Sequence, residues 1–325
     1  MEMHNGLPFA SENTYEEDMK NTVEPYLSAH GGKSNFESWD GHTIGFERYL
    51  CEKPAGSVVI SHGFTESAEK FREMSFYFLN MGFNVFAIDH RGHGGSFRYN
   101  DDPNTVCIRY FDEYIDDLHT FVNKVVKPVS DGLPLYLYSH SMGGAVAVQY
   151  LQEHPGVFTK AVLSAPMISP RTAGMPHAVT NILTKGFMAL GRANKPVIGS
   201  GGFDPLRTYE NSHDTSKARF DYYHAKRCAD MSLQTANPSN RWVSEAIRIT
   251  KLNLDPVRCK KISCPVLLCQ PEEDTSVYSE AEDQFIALVP DGKLVQFKNC
   301  KHEIYMSVDD TMKAYLDEIR AFLQA

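Results

Sequence analysis

Short apolar runs bounded by turn residues recur along the chain: Ser57-Val58-Val59-Ile60, Asn84 to Ile88, Leu135 to Tyr138, Ala161 to Leu163, Val266 to Cys269 and Leu294 to Phe297. Each is too short for a helix and almost continuously apolar, as a strand buried on both faces must be. Between them the apolar positions follow the 3.6-residue period of a helix. Phe71, Met74, Phe78 and Leu79 form one stripe, and Tyr114, Leu118, Phe121, Val122 and Val125 a second. Val308, Met312, Tyr315, Leu316, Ile319, Phe322 and Leu323 form a third near the end. Strands alternating with helices predict right-handed crossovers and a mostly parallel, doubly wound sheet of the α/β class. Thr43 to Leu50, ahead of the first β-α unit, predicts an antiparallel strand in an edge hairpin.

The rhythm breaks between Ile168 and Val257. This stretch holds Pro170, Pro176, Pro196, Pro205, Pro238 and the cluster Gly199-Ser200-Gly201-Gly202. It also carries two amphipathic stripes, Val179-Ile182-Leu183-Phe187-Leu190 and Trp242-Ala246-Ile249. So long a structureless loop is uncommon in a compact domain. The pattern predicts a helical cap over residues 168–257, inserted into a core of residues 1–167 and 258–325.

Candidate chemistry sits at the strand ends. The run Leu135 to Tyr138 leads directly into Ser139-His140-Ser141-Met142-Gly143, and then into Gly144-Ala145-Val146-Ala147-Val148. A buried strand, a tight turn around one serine and a helix of small residues lift that serine's Oγ clear of a sheet. Ser141 is therefore the candidate nucleophile. A serine needs a base, and the base needs an orienting acid. Strand Val266–Cys269 leads into Glu272-Glu273-Asp274, and strand Leu294–Phe297 leads into Lys301-His302-Glu303. Both segments fall at the carboxyl edge of the sheet, in the order serine, acid, histidine. Asp274 is the candidate acid, with Glu272 and Glu273 as close competitors, and His302 is the candidate base. Two backbone donors for an oxyanion are expected from Met142, after the serine, and Phe64, in the loop His62-Gly63-Phe64 after the first parallel strand. Asp89-His90-Arg91-Gly92-His93-Gly94 lacks the Gly-x-Gly-x-x-Gly spacing of a dinucleotide loop. Asp89 and Arg91 are assigned to structural bracing, and His140 to polar support.

Composition narrows the partners. Net charge is −9 among 325 residues, against the concentrated positive charge that nucleic acid requires. No apolar run approaches the roughly 20 residues that cross a bilayer. The first residues, Met1 to Thr22, have neither a basic nor an apolar signal region. Seven cysteines, odd in number and without a Cys-x-x-Cys pair, predict free thiols in a reducing cytoplasm and no zinc site. No metal or organic cofactor is expected.

Together, His62-Gly63-Phe64, Asp89 to Gly94, Ser139 to Gly144 and Lys301-His302-Glu303 resemble the α/β-hydrolase family of monoglyceride lipases and bacterial lysophospholipases. Asn211-Ser212-His213 and Asn237 to Val243 are similar to cap segments of the lysophospholipases. Ser139 departs from the family, which carries glycine there. The resemblance implies a serine ester hydrolase acting on a single-chain lipid ester through an acyl-enzyme on Ser141. It implies a cytoplasmic protein with peripheral contact at the inner membrane face through the cap. Leu183 and Phe187 are expected to line an acyl tunnel. A carboxylesterase, a thioesterase or another acyl hydrolase of small substrates would use the same residues, and a non-catalytic scaffold of hydrolase fold is the alternative outside enzymes. Neither the oligomeric state nor the head group is legible.

Overall fold

The structure is a computed structural model and describes residues 1–325. Eight strands make the central sheet: β1 Gly31–Glu37, β2 Thr43–Tyr49, β3 Gly56–Ser61, β4 Phe83–Ile88, β5 Leu135–His140, β6 Lys160–Ser164, β7 Val266–Pro271 and β8 Gly292–Phe297. Their order is β8-β7-β6-β5-β3-β4-β2-β1. Only the β1–β2 and β2–β4 pairings are antiparallel. The hairpin expected at Thr43 forms, but β2 lies one strand in from the edge. The true edge is β1, Gly-Gly-Lys-Ser-Asn-Phe-Glu, in which only Phe36 is buried. An edge strand so polar leaves no apolar run to read.

Alternate side chains of each strand go to opposite faces. Val59, Phe86, Leu137 and Leu268 enter one core, and Val58, Val85, Tyr138 and Leu267 enter the other. The cores contain 41 and 37 buried residues, so the sheet is covered about equally on both faces, as a doubly wound architecture requires.

The covering helices are α1 Arg72–Asn80, α2 Asp112–Phe121, α3 Met142–Glu153, α4 His177–Ala189, α5 Lys217–Ala229, α6 Asn240–Asn253, α7 Ser279–Leu288 and α8 Asp309–Gln324. A wide π turn, Val122–Val126, follows α2. It shifts the buried face by one residue, so Val126 is buried where the 3.6 period points to Val125.

Helices α4, α5 and α6 occupy the segment between β6 and β7. Trp242, Ala246 and Ile249 of α6 belong to the sheet core itself. Helix α4 packs on α6 through Thr180 and Thr184, its buried residues. Its apolar stripe points outward, with Ile182 71% and Leu190 76% exposed. Small threonines let the two helices approach closely, and their hydroxyls are satisfied by their own helix, as in Thr184 Oγ1 to Thr180 O at 3.0 Å. Helix α5 is fixed by Arg219. This buried guanidinium donates to Glu73 of α1 at 2.9 Å, to Ala10 O at 2.8 Å and to Ser307 O at 3.0 Å.

Candidate active site

The chain runs from β3 to β4 on one side of the sheet and later enters β5 on the other side of β3. Between the carboxyl ends of β3 and β5 a crevice opens, the usual position of a site in such sheets. Ser141 stands there, between β5 and α3, with φ 50° and ψ −116°. A non-glycine residue in that region is strained and must be held by its surroundings. Ser141 N donates to Ser164 O at 3.1 Å, and Ser141 O accepts from Gly144 N at 2.9 Å and Met167 N at 2.8 Å.

Two glycines make the turn possible. A Cβ on Gly143 would lie 2.1 Å from Ser61 O, and one on Gly144 would lie 2.5 Å from Pro166 Cβ. Ser139 is accommodated on the strand side, fully buried, with Oγ 3.4 Å from Val162 O.

Three of the expected side chains meet here. His302 Nε2 lies 2.8 Å from Ser141 Oγ, and His302 Nδ1 lies 2.7 Å from Asp274 Oδ2. Oδ1 of Asp274 accepts from Ser276 N at 2.7 Å and Val277 N at 3.0 Å. Glu272 and Glu273 are exposed, and Glu272 instead accepts from Asn299 N at 3.1 Å.

Burial acts to lower the His302 pKa, but the charge and hydrogen bond of Asp274 outweigh it, aided by Glu303 and Glu66, and hold it above its ordinary value. Burial likewise acts to raise the Asp274 pKa. The His302 charge and the donors around the carboxylate overcome that and keep it below its ordinary value. The neutral imidazole is the form able to take a proton from Ser141. In the free protein kcat/KM is thus expected to fall as pH drops through a midpoint above about 6.5. Below it the loss approaches tenfold per pH unit. A pH profile flat down to about pH 4 would contradict His302 as the base.

Met142 opens α3, where the first amides lie outside the intrahelical ladder. Phe64 sits in the loop after β3, and its N–H is taken by no backbone carbonyl. Its ring packs on Trp242, with centroids 4.4 Å apart. Trp242 in turn forms part of a groove of about 310 Å³ between α4 and α6, with Leu183, Phe187, Ile198, Ala246 and Ile247 in its walls. Leu183 and Phe187 thus face one apolar groove, while Ile182 and Leu190 of the same stripe do not line it.

The bracing residues behave as expected. Asp89 accepts from Ala68 N at 2.7 Å and Gly95 N at 2.9 Å, and Arg91 makes two 2.6 Å bonds to Asp117. One residue passed unnoticed in the sequence. Glu66, wholly buried, accepts from Gly63 N at 2.5 Å, His140 Nδ1 at 3.0 Å and the Tyr305 hydroxyl, and pairs with Lys70 at 3.2 Å. Burial opposes its ionisation, but His140 and Lys70 bring its pKa down to about 2. His140 Nε2 reaches His302 O at 3.3 Å, so Glu66 ties the Phe64 loop to the backbone of His302. The signal was the spacing Gly63-x-x-Glu66, in which a carboxylate closes its own loop.

A mostly parallel sheet with a serine on a strained strand-to-helix turn at its carboxyl edge defines an α/β-hydrolase. The chain belongs to the Hydrolase_4 family, described as serine aminopeptidase, S33, which matches residues 52–309. It is 28% identical over 302 residues to lysophospholipase L2 of Escherichia coli (strain K12), across 89% of this chain and 86% of that protein. A soluble variant of monoglyceride lipase from Saccharomyces cerevisiae, solved in complex with a substrate analog, shares the fold. Its TM-score is 0.73 at 20% identity, over 90% of this chain and 94% of that one. So does a thermostable carboxyl esterase from Bacillus coagulans solved with glycerol, with a TM-score of 0.74 at 19% identity over 91% and 98% of the two chains. No helix is long and apolar enough to cross a membrane.

Proposed function

We propose that the protein is a serine ester hydrolase of single-chain lipid esters, a lysophospholipase or monoacylglycerol lipase. The observation that carries this reading is the hydrogen-bonded chain Ser141–His302–Asp274 at the sheet crevice, with an apolar groove beyond the Phe64–Trp242 contact. The similarity to lysophospholipase L2 over most of both chains supports the lipid substrate.

In this scheme Ser141 Oγ attacks the ester carbonyl while His302 Nε2 takes its proton. Asp274 holds the proton on Nδ1 and stabilises the imidazolium that forms. The N–H groups of Phe64 and Met142 receive the oxyanion. His302 then protonates the departing alkoxide, and water repeats the cycle on the acyl-enzyme to release the fatty acid. The residues 168–257 act as a cap whose groove takes the acyl chain.

An ester panel of graded chain length tests this. Each buried methylene is worth about 0.8 kcal/mol, roughly fourfold. A groove open on one side realises part of that, so kcat/KM is expected to rise about fourfold per added carbon pair until the groove is full. Leu183→Ser or Phe187→Ser should flatten the slope while sparing short esters. A flat profile in the unmodified protein would exclude the acyl groove and favour a small-ester carboxylesterase. Equal losses on all esters would mean that the two residues serve stability alone.

A further inference from the structure

A second, smaller cavity lies beside the residues that neighbour His302. Its walls include Lys70, Arg207, His213, Tyr223, Arg227 and Glu303. It holds about 40 Å³, room for a few waters or a small polar group and too little for an acyl chain. His213 approaches His302 with ring centroids 6.2 Å apart, Glu303 follows His302 in the chain, and Thr65 of the same wall follows Phe64.

Three cations, Lys70, Arg207 and Arg227, line the cavity against two carboxylates, Glu303 and Asp214. Lys70 is matched by Glu303 at 2.5 Å and Glu66 at 3.2 Å. Asp214 is also in the wall, where burial and the neighbouring Glu303 raise its pKa well above its ordinary value. Arg207 and Arg227 have no carboxylate partner. Arg207 donates only to Asn211 O at 2.8 Å, and Arg227 only to Leu233 O at 3.0 Å and Thr235 O at 2.7 Å, which leaves guanidinium nitrogens on both free. Burial and the charge of Arg207 hold the Arg227 pKa below its ordinary value. The Tyr223 hydroxyl, in the same wall and 91% buried by its 9% exposure, has no hydrogen-bond partner. Two unpaired guanidiniums and an unused hydroxyl donor around a cavity of this size match the oxygens of a phosphate.

The position fits a leaving group. His302 must hand its proton to the departing alkoxide, so whatever that oxygen carries lies on the His302 side. The apolar groove lies beyond Phe64 and Trp242. We propose that the cavity lined by Arg207, Arg227 and Tyr223 binds the phosphate of a glycerophosphate head group, and so selects lysophospholipids over neutral monoacylglycerols. This rests on the ester-hydrolase reading above. It also gives a role to Asn211-Ser212-His213, whose Asn211 carbonyl accepts from Arg207 and whose His213 lines the cavity beside His302.

The test compares 1-octanoyl-glycerol with 1-octanoyl-glycero-3-phosphoethanolamine, both below their aggregation concentrations, in the unmodified protein and in Arg207→Ala. The kcat/KM ratio of phospholipid to neutral ester is expected to fall about tenfold or more, the worth of a hydrogen bond to a charged group. Arg207→Lys should restore part of it. Arg227→Gln, matched for thermal unfolding, gives a second reading. A structural role alone would lower both rates together and leave the ratio fixed. Inorganic phosphate and glycerol 3-phosphate are then titrated against the purified protein by calorimetry. Arg207-dependent binding of glycerol 3-phosphate with the change in ratio supports the head-group site. Arg207-dependent binding of inorganic phosphate without a change in ratio overturns the head group and assigns the cavity to free phosphate. No binding and no change in ratio overturns the proposal. If the protein cleaves neither lipid, the ester-hydrolase reading fails, and the titration still decides whether the cavity binds phosphate.

Discussion

Ser141→Ala is expected to leave the fold unchanged, abolish covalent labelling by a fluorophosphonate probe and lower kcat on any ester by about 10⁴-fold or more. Folding should survive because the exchange removes one hydroxyl from a half-buried side chain and leaves the backbone bonds of the turn in place. The strain stays too, since alanine has the same Cβ at φ 50°. Ser141→Gly is the informative companion. It removes the Cβ penalty of a left-handed φ and should raise the melting temperature while being equally inactive. A gain in stability on losing the Ser141 side chain is the expected mark of strain kept for function. Near-normal turnover by a purified Ser141→Ala protein would end the assignment of Ser141. So would labelling that persists at another residue.

What could be read from the chain follows from where its apolar residues lie. Strands β3 to β7 are buried on both faces, so each carries a nearly unbroken apolar run and could be placed from sequence. Strand β1 and the hairpin Glu2–His4/Leu7–Phe9 have one face or none in the core and passed unseen. The hairpin nevertheless had a local signal. Asn5-Gly6 takes positive φ at both residues, as the tightest hairpin turn requires, and Phe9 then stacks on Tyr77 at 5.9 Å. Ser141, His302 and Asp274 were legible because the topology delivers all three to one edge of the sheet. Arg207, Arg227 and Glu66 were not. Glu66 takes its meaning from the donors that converge on it, and Arg207 and Arg227 from the carboxylates that do not reach them. Periodicity carries no record of a missing partner. The outward stripe of α4 misleads for the same reason: an amphipathic pattern shows that a helix has two faces, and here the apolar one is turned to the groove and the exterior while threonines are buried.

Asp274→Asn is expected to cost about 10⁴-fold in kcat, as removal of the orienting carboxylate does in this type of catalysis, while Glu272→Gln and Glu273→Gln stay within a few fold. The reason lies in the second oxygen. Oδ1 of Asp274 accepts from the N–H groups of Ser276 and Val277. An asparagine there must place its carbonyl oxygen against those two donors, or leave two buried N–H groups unsatisfied. Its NH₂ then faces His302 Nδ1, where the carboxylate stood at 2.7 Å. Nδ1 must become the acceptor, and the ring proton moves to Nε2. Nε2–H then points at Ser141 Oγ and cannot take its proton. The residue is nearly isosteric, so the fold is retained and the wrong tautomer alone carries the loss. Nitrogen-15 shifts of the His302 ring report the tautomer directly and separate this cause from a displaced side chain. The same exchange removes the charge that outweighs burial at His302, so its pKa should fall. A fall in activity with the proton still on Nδ1 would exclude the tautomer argument. A dead Glu272→Gln or Glu273→Gln protein beside an active Asp274→Asn would transfer the role of the acid to that glutamate.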